Sequence, residues 1–334
     1  MLPNPSVNSI QKFKLHNSLG TEVEILNLGA ILHRWKIREE GGTERDIIVG
    51  PDQISDYLSV FESVPYYFGA TIGRYAGRIR EGFRLNGQYY PLESNEQGVH
   101  LHGGAEGIDR KLWELDEEAS DLPQTLVLYT RSKAGEGGYP GALEIEARYC
   151  LQDDDSLELE YRAVSDADTV LNLTNHVYFN LDGNPLTEQS LQLSSARCLE
   201  TNEYLLPTGR FTPLEEDAKD FRKQKSLEAL PSYGGLDHCF LLDQIKAGEP
   251  AIRYQSTKGD LALEGWTNQA AVVVFAPEHL QVNIDLKEKQ VPFPSICFEF
   301  QNVPDAPNFL QFPSAELKAG EVYRHQSKFQ LKRR

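Results

Sequence analysis

Apolar and polar residues alternate along much of this chain with a period of two. Residues 143–149 switch between apolar and charged side chains at every step, and residues 157–163 resume the alternation after the polar run at 153–155. A period of two puts successive side chains on opposite faces of a β-strand, whereas a helix repeats after about 3.6 residues. The pattern therefore predicts a β-hairpin over residues 143–163.

Similar apolar runs predict further strands, and glycine or proline turns separate these runs from one end of the chain to the other. The strands are expected at residues 271–275, 281–286, 295–300 and 322–331. Helical patterns are few and short, and only residues 54–60 and 223–230 favour a turn or two of helix.

The order of these elements predicts the fold class. Because strands do not alternate regularly with helices, the chain does not have the pattern of a parallel α/β fold. A length of 334 residues fits one large all-β domain or two smaller domains. We predict the first, an all-β domain over residues 1–334 with two extended antiparallel sheets packed face to face. The polar segments near 115–122 and 244–260 are interpreted as surface loops.

One predicted strand carries an unusual set of polar side chains. The segment 173–181 places His176 and Tyr178 between Asn175 and Asn180, in a run that otherwise has the pattern of a strand. An unpaired polar group in a buried strand costs on the order of 1–3 kcal/mol, so this set favours a cleft over a packed core. Aromatic rings, amides and an imidazole are suited to binding a small hydroxyl-rich ligand and to moving a proton near neutral pH.

The bulk composition excludes several classes of protein. With 50 acidic and 33 basic residues the chain has a formal charge of −17, which argues against nucleic acids and anionic membranes as partners. No segment approaches the length of a membrane span, and residues 1–6 lack the pattern of a secretory leader, which predicts a cytoplasmic protein. The four cysteines, Cys150, Cys198, Cys239 and Cys297, are scattered, which is typical of reduced thiols.

Two glycine-bearing segments could line a cleft. The first carries Arg74 and Arg78, whose planar guanidinium groups suit either a ligand or structural ion pairs. The second carries His100 and His102, which would share a face in a strand and could then bind a metal. No cysteine or acidic residue stands at a supporting spacing, so we expect no metal here. The alternative is a histidine that points into a cleft as a hydrogen-bond donor.

Two acidic residues are candidates for chemistry. Asp237 follows two glycines, so it is either a turn residue or an acceptor for vicinal hydroxyl groups. Glu299 lies in an alternating run that puts Cys297, Glu299 and Gln301 on one face and aromatic residues on the other. Burial there would raise its pKa and make it a better base near pH 7, unless it forms a structural ion pair. The glycine-rich residues 135–141 lack a following Lys-Ser/Thr and are therefore read as a surface loop, not a phosphate loop.

Several short motifs stand in an order typical of one known family. In chain order they are Gly-Arg-Tyr-Ala-Gly-Arg-Ile (73–79), Leu-His-Gly-Gly (101–104), Gly-Tyr-Pro-Gly (138–141), Thr-Asn-His-Val-Tyr-Phe-Asn-Leu (174–181), Leu-Asp-His (236–238), Glu-Phe-Gln-Asn-Val-Pro-Asp-Ala-Pro-Asn (299–308) and Phe-Pro-Ser (312–314). Each motif alone is only weakly specific. The series in this order and spacing is highly specific, and it spans most of the chain. In this series the chain resembles the aldose 1-epimerase (mutarotase) family.

The resemblance implies a β-supersandwich fold that needs neither a metal nor an organic cofactor. It implies that the chain interconverts the α and β anomers of a free aldose, with Glu299 as general base and His176 as general acid. These two residues are far apart in sequence and would have to meet on opposite sides of one pyranose ring. The sugar-binding residues implied by the same motifs are His102, Arg78, Asp237 and Tyr178.

One position departs from the family pattern, and three other functions remain open. Many family members carry Asn where this chain has Gly77, so an amide contact to the sugar is either missing or supplied by another residue. A non-catalytic sugar-binding module would share the sandwich but needs no acid–base pair. A glycosidase usually needs two carboxylates, and only Glu299 is a strong candidate. A hexose 6-phosphate mutarotase would need an added cationic pocket, to which Arg74 would belong. The expected oligomeric state is a monomer or a homodimer.

Overall fold

Strands make up most of the secondary structure in this computed structural model, which describes residues 5–39, 42–62, 66–242, 245–246, 248–287 and 291–333. Among the described residues the α-helix is α1 (Asp56–Glu62), which confirms the helix predicted at residues 54–60. Short 3-10 turns lie at Val7–Ser9, Ile108–Arg110, Glu136–Gly138, Leu186–Glu188, Leu230–Tyr233 and Ala306–Asn308. Within the described residues, none of the helices has the length and apolar character needed to cross a membrane.

The strands of the described residues are numbered in chain order. The first half of the chain holds β1 (Lys12–His16), β2 (Glu22–Leu26), β3 (Ile31–Arg38), β4 (Glu44–Asp46), β5 (Ile48–Val49), β6 (Thr71–Ile72), β7 (Arg78–Ile79), β8 (Gly82–Leu85), β9 (Gln88–Pro91), β10 (His100–Leu101), β11 (Glu114–Leu115), β12 (Thr125–Ser132), β13 (Leu143–Leu151) and β14 (Ser156–Ser165). The second half holds β15 (Thr169–Val170), β16 (Thr174–Asn175), β17 (Tyr178–Phe179), β18 (Ser190–Leu193), β19 (Arg197–Thr201), β20 (Pro207–Pro213), β21 (Lys225–Ser226), β22 (Leu236–Leu241), β23 (Ile252–Gln255), β24 (Leu261–Thr267), β25 (Ala271–Ala276), β26 (Ile296–Gln301), β27 (Glu316–Leu317) and β28 (Val322–Arg333).

Two large antiparallel sheets dominate the fold. One has nine strands in the order β11-β12-β13-β14-β28-β24-β23-β18-β21, and the other has seven in the order β20-β19-β22-β25-β26-β17-β5. Alternate residues of the seven-stranded sheet, such as Val274 and Phe298, pack with Leu263 and Phe329 of the nine-stranded sheet in one hydrophobic core. Apolar burial of this kind contributes roughly 25 cal/mol per Å² of buried surface. The predicted all-β sandwich of antiparallel sheets is confirmed.

The strongest alternating runs form the strands that they predict. The hairpin predicted over residues 143–163 is β13 and β14, which pair in register with Ala147 opposite Tyr161. The predicted strands at 271–275, 295–300 and 322–331 are β25, β26 and β28. Each of these strands buries at least one face, and β26 is buried on both, so continuous apolar runs identified strands here as well as alternating ones.

Three weaker predictions are wrong. Residues 223–230 do not form a helix, because β21 within them pairs with β18 at the edge of the nine-stranded sheet. Residues 281–286 form no strand; their apolar side chains pack against a separate hydrophobic cluster while the backbone makes only an isolated bridge at Leu286. The segment 244–260 is not wholly a surface loop, because β23 lies within it and buries Ile252 and Tyr254.

The strand predicted at residues 173–181 is interrupted. β16 pairs with β6 in a small two-stranded sheet, whereas β17 pairs with β5 and β26 in the seven-stranded sheet. His176 lies in the step between β16 and β17, where its N–H donates to the carbonyl of Ala70 and its carbonyl accepts from Gly69. The chain therefore changes sheets at His176, and the imidazole stands at the boundary between them.

Candidate active site

One face of the seven-stranded sheet forms the floor of an open cavity of about 160 Å³, here named the central cleft. Alternate residues of five neighbouring strands line it, namely Leu199, Thr201, Asp237, Cys239, Val273, Phe275, Glu299, Gln301 and Tyr178. The opposite face of the same strands packs into the core, so the period of two separates core residues from cleft residues. Surrounding segments add Tyr66, Tyr67, Gly77, Arg78, Glu96, Leu101, His102, His176, Leu205 and Pro304. The structure thus brings all six predicted site residues to one cleft.

Glu299 is buried on the floor of the central cleft with 2% of its surface exposed. Burial raises the pKa of its carboxyl well above the usual value, and the negative charge of Asp237 raises it further, while Arg78 acts in the opposite direction. Its Oε2 atom has no hydrogen-bond partner among the described residues. A buried acceptor without a partner is costly, so this atom is placed to receive a hydrogen bond from a ligand.

His176 lies directly beside Glu299. Its Nε2 is 3.6 Å from Oε1 of Glu299, and its ring stacks on Tyr178 with the centroids 5.1 Å apart. Burial lowers the pKa of the imidazole to about 4. We expected the two groups on opposite sides of a pyranose ring. The structure instead places them side by side. Glu299 lies on β26, His176 lies just before β17, and β17 pairs with β26.

His102 is held in one orientation by the backbone of Gly77. The N–H of His102 donates to the carbonyl of Gly77, and the N–H of Gly77 donates to Nδ1 of His102 at 3.1 Å. The shared face predicted for His100 and His102 is wrong, because β10 ends at Leu101 and His102 has a positive φ of 54°. The ring of His100 contacts the carbonyl of Glu93 and the hydroxyl of Tyr139, each at 2.8 Å, away from the cleft.

Arg78 and Asp237 form a charged rim on the central cleft. The guanidinium of Arg78 binds both carboxylate oxygens of Glu96, at 2.6 and 3.1 Å, and its Nη1 lies 3.5 Å from Oδ2 of Asp237. This bidentate pair fixes the plane of the guanidinium. Tyr178 donates its hydroxyl to the carbonyl of Tyr66 at 2.7 Å, so its ring, and not its hydroxyl, is presented to the cleft.

Arg74 does not belong to the central cleft. It is buried, and its Nε donates to Oγ of Ser132, while its other nitrogens donate to the backbone carbonyls of Ser132, Lys133 and Pro140. The possibility that Arg74 forms a cationic pocket for a phosphate is therefore wrong. These four hydrogen bonds instead tie a glycine-rich loop to the body of the protein.

The space beside Gly77 is occupied by the amide of Gln301. A Cβ atom at position 77 would lie 3.2 Å from Nε2 of Gln301 and 3.0 Å from Cγ of Pro304. Gln301 lines the cleft, and its Oε1 has no hydrogen-bond partner among the described residues. The chain therefore presents an amide to the cleft from β26, near the position where the sequence lacks Asn.

Imidazole and carboxylate atoms converge in the central cleft. One ligand-type atom from each of His102, His176 and Glu299 lies within 4.8 Å of the others. Such atoms suit a transition metal, and they equally suit proton transfer to and from a bound hydroxyl compound. Glu299 lies on β26, His176 lies just before β17, and His102 lies just after β10. The spacing of these residues in the sequence did not predict that the three would meet.

Comparison with known proteins identifies the family. A family model described as aldose 1-epimerase matches residues 11–330. The chain is 34% identical to a protein of Rattus norvegicus named galactose mutarotase, over 97% of this chain and 94% of that one. It is 31% identical to a protein of Haemophilus influenzae named aldose 1-epimerase, over 96% of each chain. The chain belongs to the aldose 1-epimerase family.

The solved structures agree with membership of the aldose 1-epimerase family. The chain superposes on the crystal structure of an aldose epimerase homologue from C. elegans with a TM-score of 0.88 and 25% sequence identity, covering 97% of this chain and 99% of that one. The resemblance seen in the motifs is thereby confirmed, and so is the expected fold. As a member of this family the chain is an enzyme, an isomerase of the mutarotase type.

Three residues of this aldose 1-epimerase family member were not singled out as site residues from sequence. Glu96 lies in a polar loop and is recognisable only through its ion pair with Arg78. Gln301 and Cys297 share the alternating face of Glu299, and that alternation was the available signal. Residue types and spacing could not rank these three residues, because their partners lie on other segments of the chain.

Proposed function

We propose that this chain interconverts the α and β anomers of a free aldohexose by acid–base ring opening, with Glu299 as general base and His176 as general acid. The observation that carries the proposal is the distance of 3.6 Å between Oε1 of Glu299 and Nε2 of His176 in the central cleft. Ring opening removes a proton from the anomeric hydroxyl and adds one to the ring oxygen. Both oxygens are bonded to the same carbon, so an adjacent base and acid suit this reaction.

The proposed steps balance without any co-reactant. The anomeric O–H gives its proton to Glu299, and its electron pair forms the C=O bond of the aldehyde. The bond from this carbon to the ring oxygen breaks, and the ring oxygen takes the proton from Nε2 of His176. Rotation about the bond between the first two carbons presents the other face of the aldehyde, and the reverse transfers close the ring. Each positioned proton transfer contributes about 10²–10⁴-fold to the rate.

The burial of the pair determines where its shared proton rests. Burial raises the pKa of Glu299 well above its usual value and lowers that of His176 to about 4, so in the absence of sugar burial favours a shared proton on Glu299 over one on His176. Transfer of this proton from Oε1 to Nε2 gives the carboxylate and imidazolium from which ring opening starts. A sugar hydroxyl that donates to Oε2 of Glu299 would favour the carboxylate, since a hydrogen bond to the charged form lowers a carboxyl pKa.

The remaining residues are proposed to bind the sugar. Asp237 accepts hydrogen bonds from hydroxyl groups, and Arg78, which Glu96 holds in place, donates to a sugar oxygen. His102 donates from Nε2, because its Nδ1 already accepts from Gly77. The ring of Tyr178 packs against His176 and presents an apolar surface to the cleft.

The charge of the central cleft supports an uncharged substrate over a phosphorylated one. Among the described residues that line it, three are acidic, Glu96, Asp237 and Glu299, and the cation Arg78 already pairs with two of them. A phosphate group would add negative charge beside these carboxylates without an unpaired cation to meet it. We therefore propose that glucose 6-phosphate reacts much more slowly than glucose, which rates measured on both sugars will test.

Polarimetry on freshly dissolved α-glucose and α-galactose tests the proposal. The wild-type chain should speed the approach to the equilibrium rotation, and Glu299→Gln should lower the rate by roughly 10² or more, because the amide cannot accept the proton. Sugar binding to Glu299→Gln should persist in isothermal titration calorimetry. Full activity in this variant would remove Glu299 from the role of base. A chelator such as EDTA should leave the rate unchanged; a loss of rate would instead favour a metal at the three converging groups.

The same protein samples distinguish the proposed activity from two alternatives. A non-catalytic sugar-binding module would bind the sugar without changing the polarimetric rate. A glycosidase would release the chromophore from a nitrophenyl glycoside, which a mutarotase does not. The position of the acid–base pair favours isomerisation over both.

The cellular setting is also part of the proposal. All four cysteines are free, which supports work in a reducing, cytoplasmic compartment. We propose that the chain is a monomer or a homodimer. Light scattering on the protein as it elutes from a size-exclusion column distinguishes these states from larger assemblies.

A further inference from the structure

The strand β26 contacts both ring nitrogens of His176. Glu299 Oε1 lies 3.6 Å from Nε2, and Sγ of Cys297 lies 3.6 Å from Nδ1. Cys297 and Glu299 are two positions apart, so they project from the same face of the strand. The imidazole is therefore held between two side chains of one strand, and only one of these belongs to the proposed acid–base pair.

Cys297 packs in a hydrophobic cluster, and among the described residues the hydrogen-bond contact of its sulfur is the one to His176. Cys297 is fully buried, and burial raises the pKa of its thiol well above the usual value, so it remains a neutral thiol. A neutral thiol is both a weak donor and a weak acceptor of hydrogen bonds. A carboxylate in the same position would stabilise the imidazolium strongly, whereas a thiol orients the ring and leaves the imidazolium a strong acid.

The proposed proton cycle requires one tautomer of the neutral ring. His176 loses and regains its proton at Nε2, so the other proton must remain on Nδ1 throughout the cycle. A neutral histidine carries a proton on only one nitrogen, and the partner of the other nitrogen decides which one. The Nδ1 atom faces Sγ of Cys297 at 3.6 Å in this structure.

We propose that Cys297 is a positioning residue, which accepts the Nδ1–H of His176 and thereby keeps the Nε2 lone pair directed at Glu299. This inference rests on the proposed function, because the tautomer matters only if Nε2 exchanges a proton with the sugar. It assigns to the thiol no contact with the sugar and no proton transfer of its own.

The expected kinetic result is a loss in turnover without a loss in binding. Cys297→Ala removes the acceptor, and kcat should fall roughly three- to tenfold, the usual effect of one net hydrogen bond, while KM changes less than about twofold. Cys297→Ser restores an acceptor at the same position and should bring kcat back to within about threefold of wild type. Cys198→Ala is the matched control, because it removes another buried thiol from the seven-stranded sheet that does not line the cleft.

Nuclear magnetic resonance reads the tautomer directly and without substrate. In protein labelled with ¹⁵N-histidine, the signal of His176 is assigned by its loss in His176→Asn, and wild type should show the proton on Nδ1. Cys297→Ala should shift this ring toward the Nε2–H form. The proposal is overturned if wild type carries the proton on Nε2, or if Cys297→Ala changes neither the tautomer nor kcat.

The two measurements also separate this proposal from the proposed function. A wild-type protein without mutarotase activity would overturn the function, yet its spectrum would still report the tautomer. An active wild type with an unchanged Cys297→Ala variant would overturn the role of Cys297 alone. If Cys297→Ala does not fold, the wild-type spectrum and the Cys297→Ser rate decide the matter.

Discussion

The backbone N–H of Gly77 donates a hydrogen bond of 3.1 Å to Nδ1 of His102. A ring nitrogen that accepts a hydrogen bond carries no proton, so a neutral His102 is protonated on Nε2. Burial lowers the pKa of His102 well below its usual value, and the nearby His176 lowers it further, so the ring is neutral at physiological pH. His102 is therefore a fixed donor and not a second proton shuttle.

A fixed donor can be replaced by another donor of similar reach. We predict that His102→Ala lowers kcat/KM roughly tenfold, the upper effect of one neutral hydrogen bond, whereas His102→Gln keeps most of the activity because its amide nitrogen can lie near the position of Nε2. Polarimetric rates at several sugar concentrations give the comparison. His279→Ala, at an exposed histidine that does not line the cleft, is the control. Equal losses in the Gln and Ala variants would instead indicate that the imidazole itself takes part in proton transfer.

The amide of Gln301 should bind the sugar in place of the missing Asn. We predict that Gln301→Leu raises KM about three- to tenfold with a smaller change in kcat, because it removes a hydrogen bond made in both ground and transition states. Gly77→Asn should not improve the enzyme, because its Cβ would press on Cγ of Pro304 at 3.0 Å and the backbone there has a φ of 82°. Rates for both variants on glucose and galactose test this. An unchanged KM in Gln301→Leu would mean that the amide does not contact the sugar.

Asp237 is proposed to bind the sugar, and its charge also acts on Glu299 of the proposed acid–base pair. We predict that Asp237→Ala mainly raises KM, because it removes acceptors for sugar hydroxyls. We also predict that Asp237→Asn moves the acidic limb of the pH–rate profile to lower pH. The charge of Asp237 raises the pKa of Glu299, and its removal makes proton uptake by the pair less favourable. Profiles of kcat/KM for wild type and variant provide the measurement, and a shift to higher pH would contradict the argument.

The sequence predicted the floor of the cleft better than its walls. β26 alternates with a period of two, and this alternation placed Glu299 on one face and Phe298 on the other, whereas β25 is apolar throughout. The wall residues depend on contacts between distant segments, which periodicity does not encode. His176 stands where the chain leaves one sheet for another, and His102 is oriented by Gly77.

Two arginines show the same limit of prediction from residue patterns. Arg74 and Arg78 are four residues apart in one glycine-bearing motif and are chemically equivalent in the sequence. Arg78 meets Glu96 and Asp237 at the cleft, whereas Arg74 is turned into backbone carbonyls such as that of Pro140. Which of the two reaches a ligand follows from the course of the backbone between them, and no pattern of residue types specifies that course.

Asp109 should make the stability of the fold depend on pH. It is fully buried in the turn after β10, and neither carboxylate oxygen has a hydrogen-bond partner among the described residues. Burial raises its pKa from 3.8 to about 6, although Arg110 acts in the opposite direction. Between pH 3.8 and about 6, the Asp109 carboxyl is therefore protonated more fully in the folded state than in the unfolded state. Stability from this residue is present below pH 3.8, falls as the pH rises to about 6, and stays low above that.

We predict that Asp109→Asn, which cannot ionise, escapes this loss. The variant should exceed wild type in free energy of unfolding by about 2–3 kcal/mol above pH 7, because one pKa unit corresponds to about 1.4 kcal/mol, and the difference should shrink as the pH falls toward 4. Urea unfolding followed by tryptophan fluorescence at a series of pH values measures it. Glu117→Gln, at an exposed carboxyl, is the control and should show no such trend. A stability difference between Asp109→Asn and wild type that does not change with pH would contradict this prediction. It would show that Asp109 does not titrate between pH 3.8 and about 6.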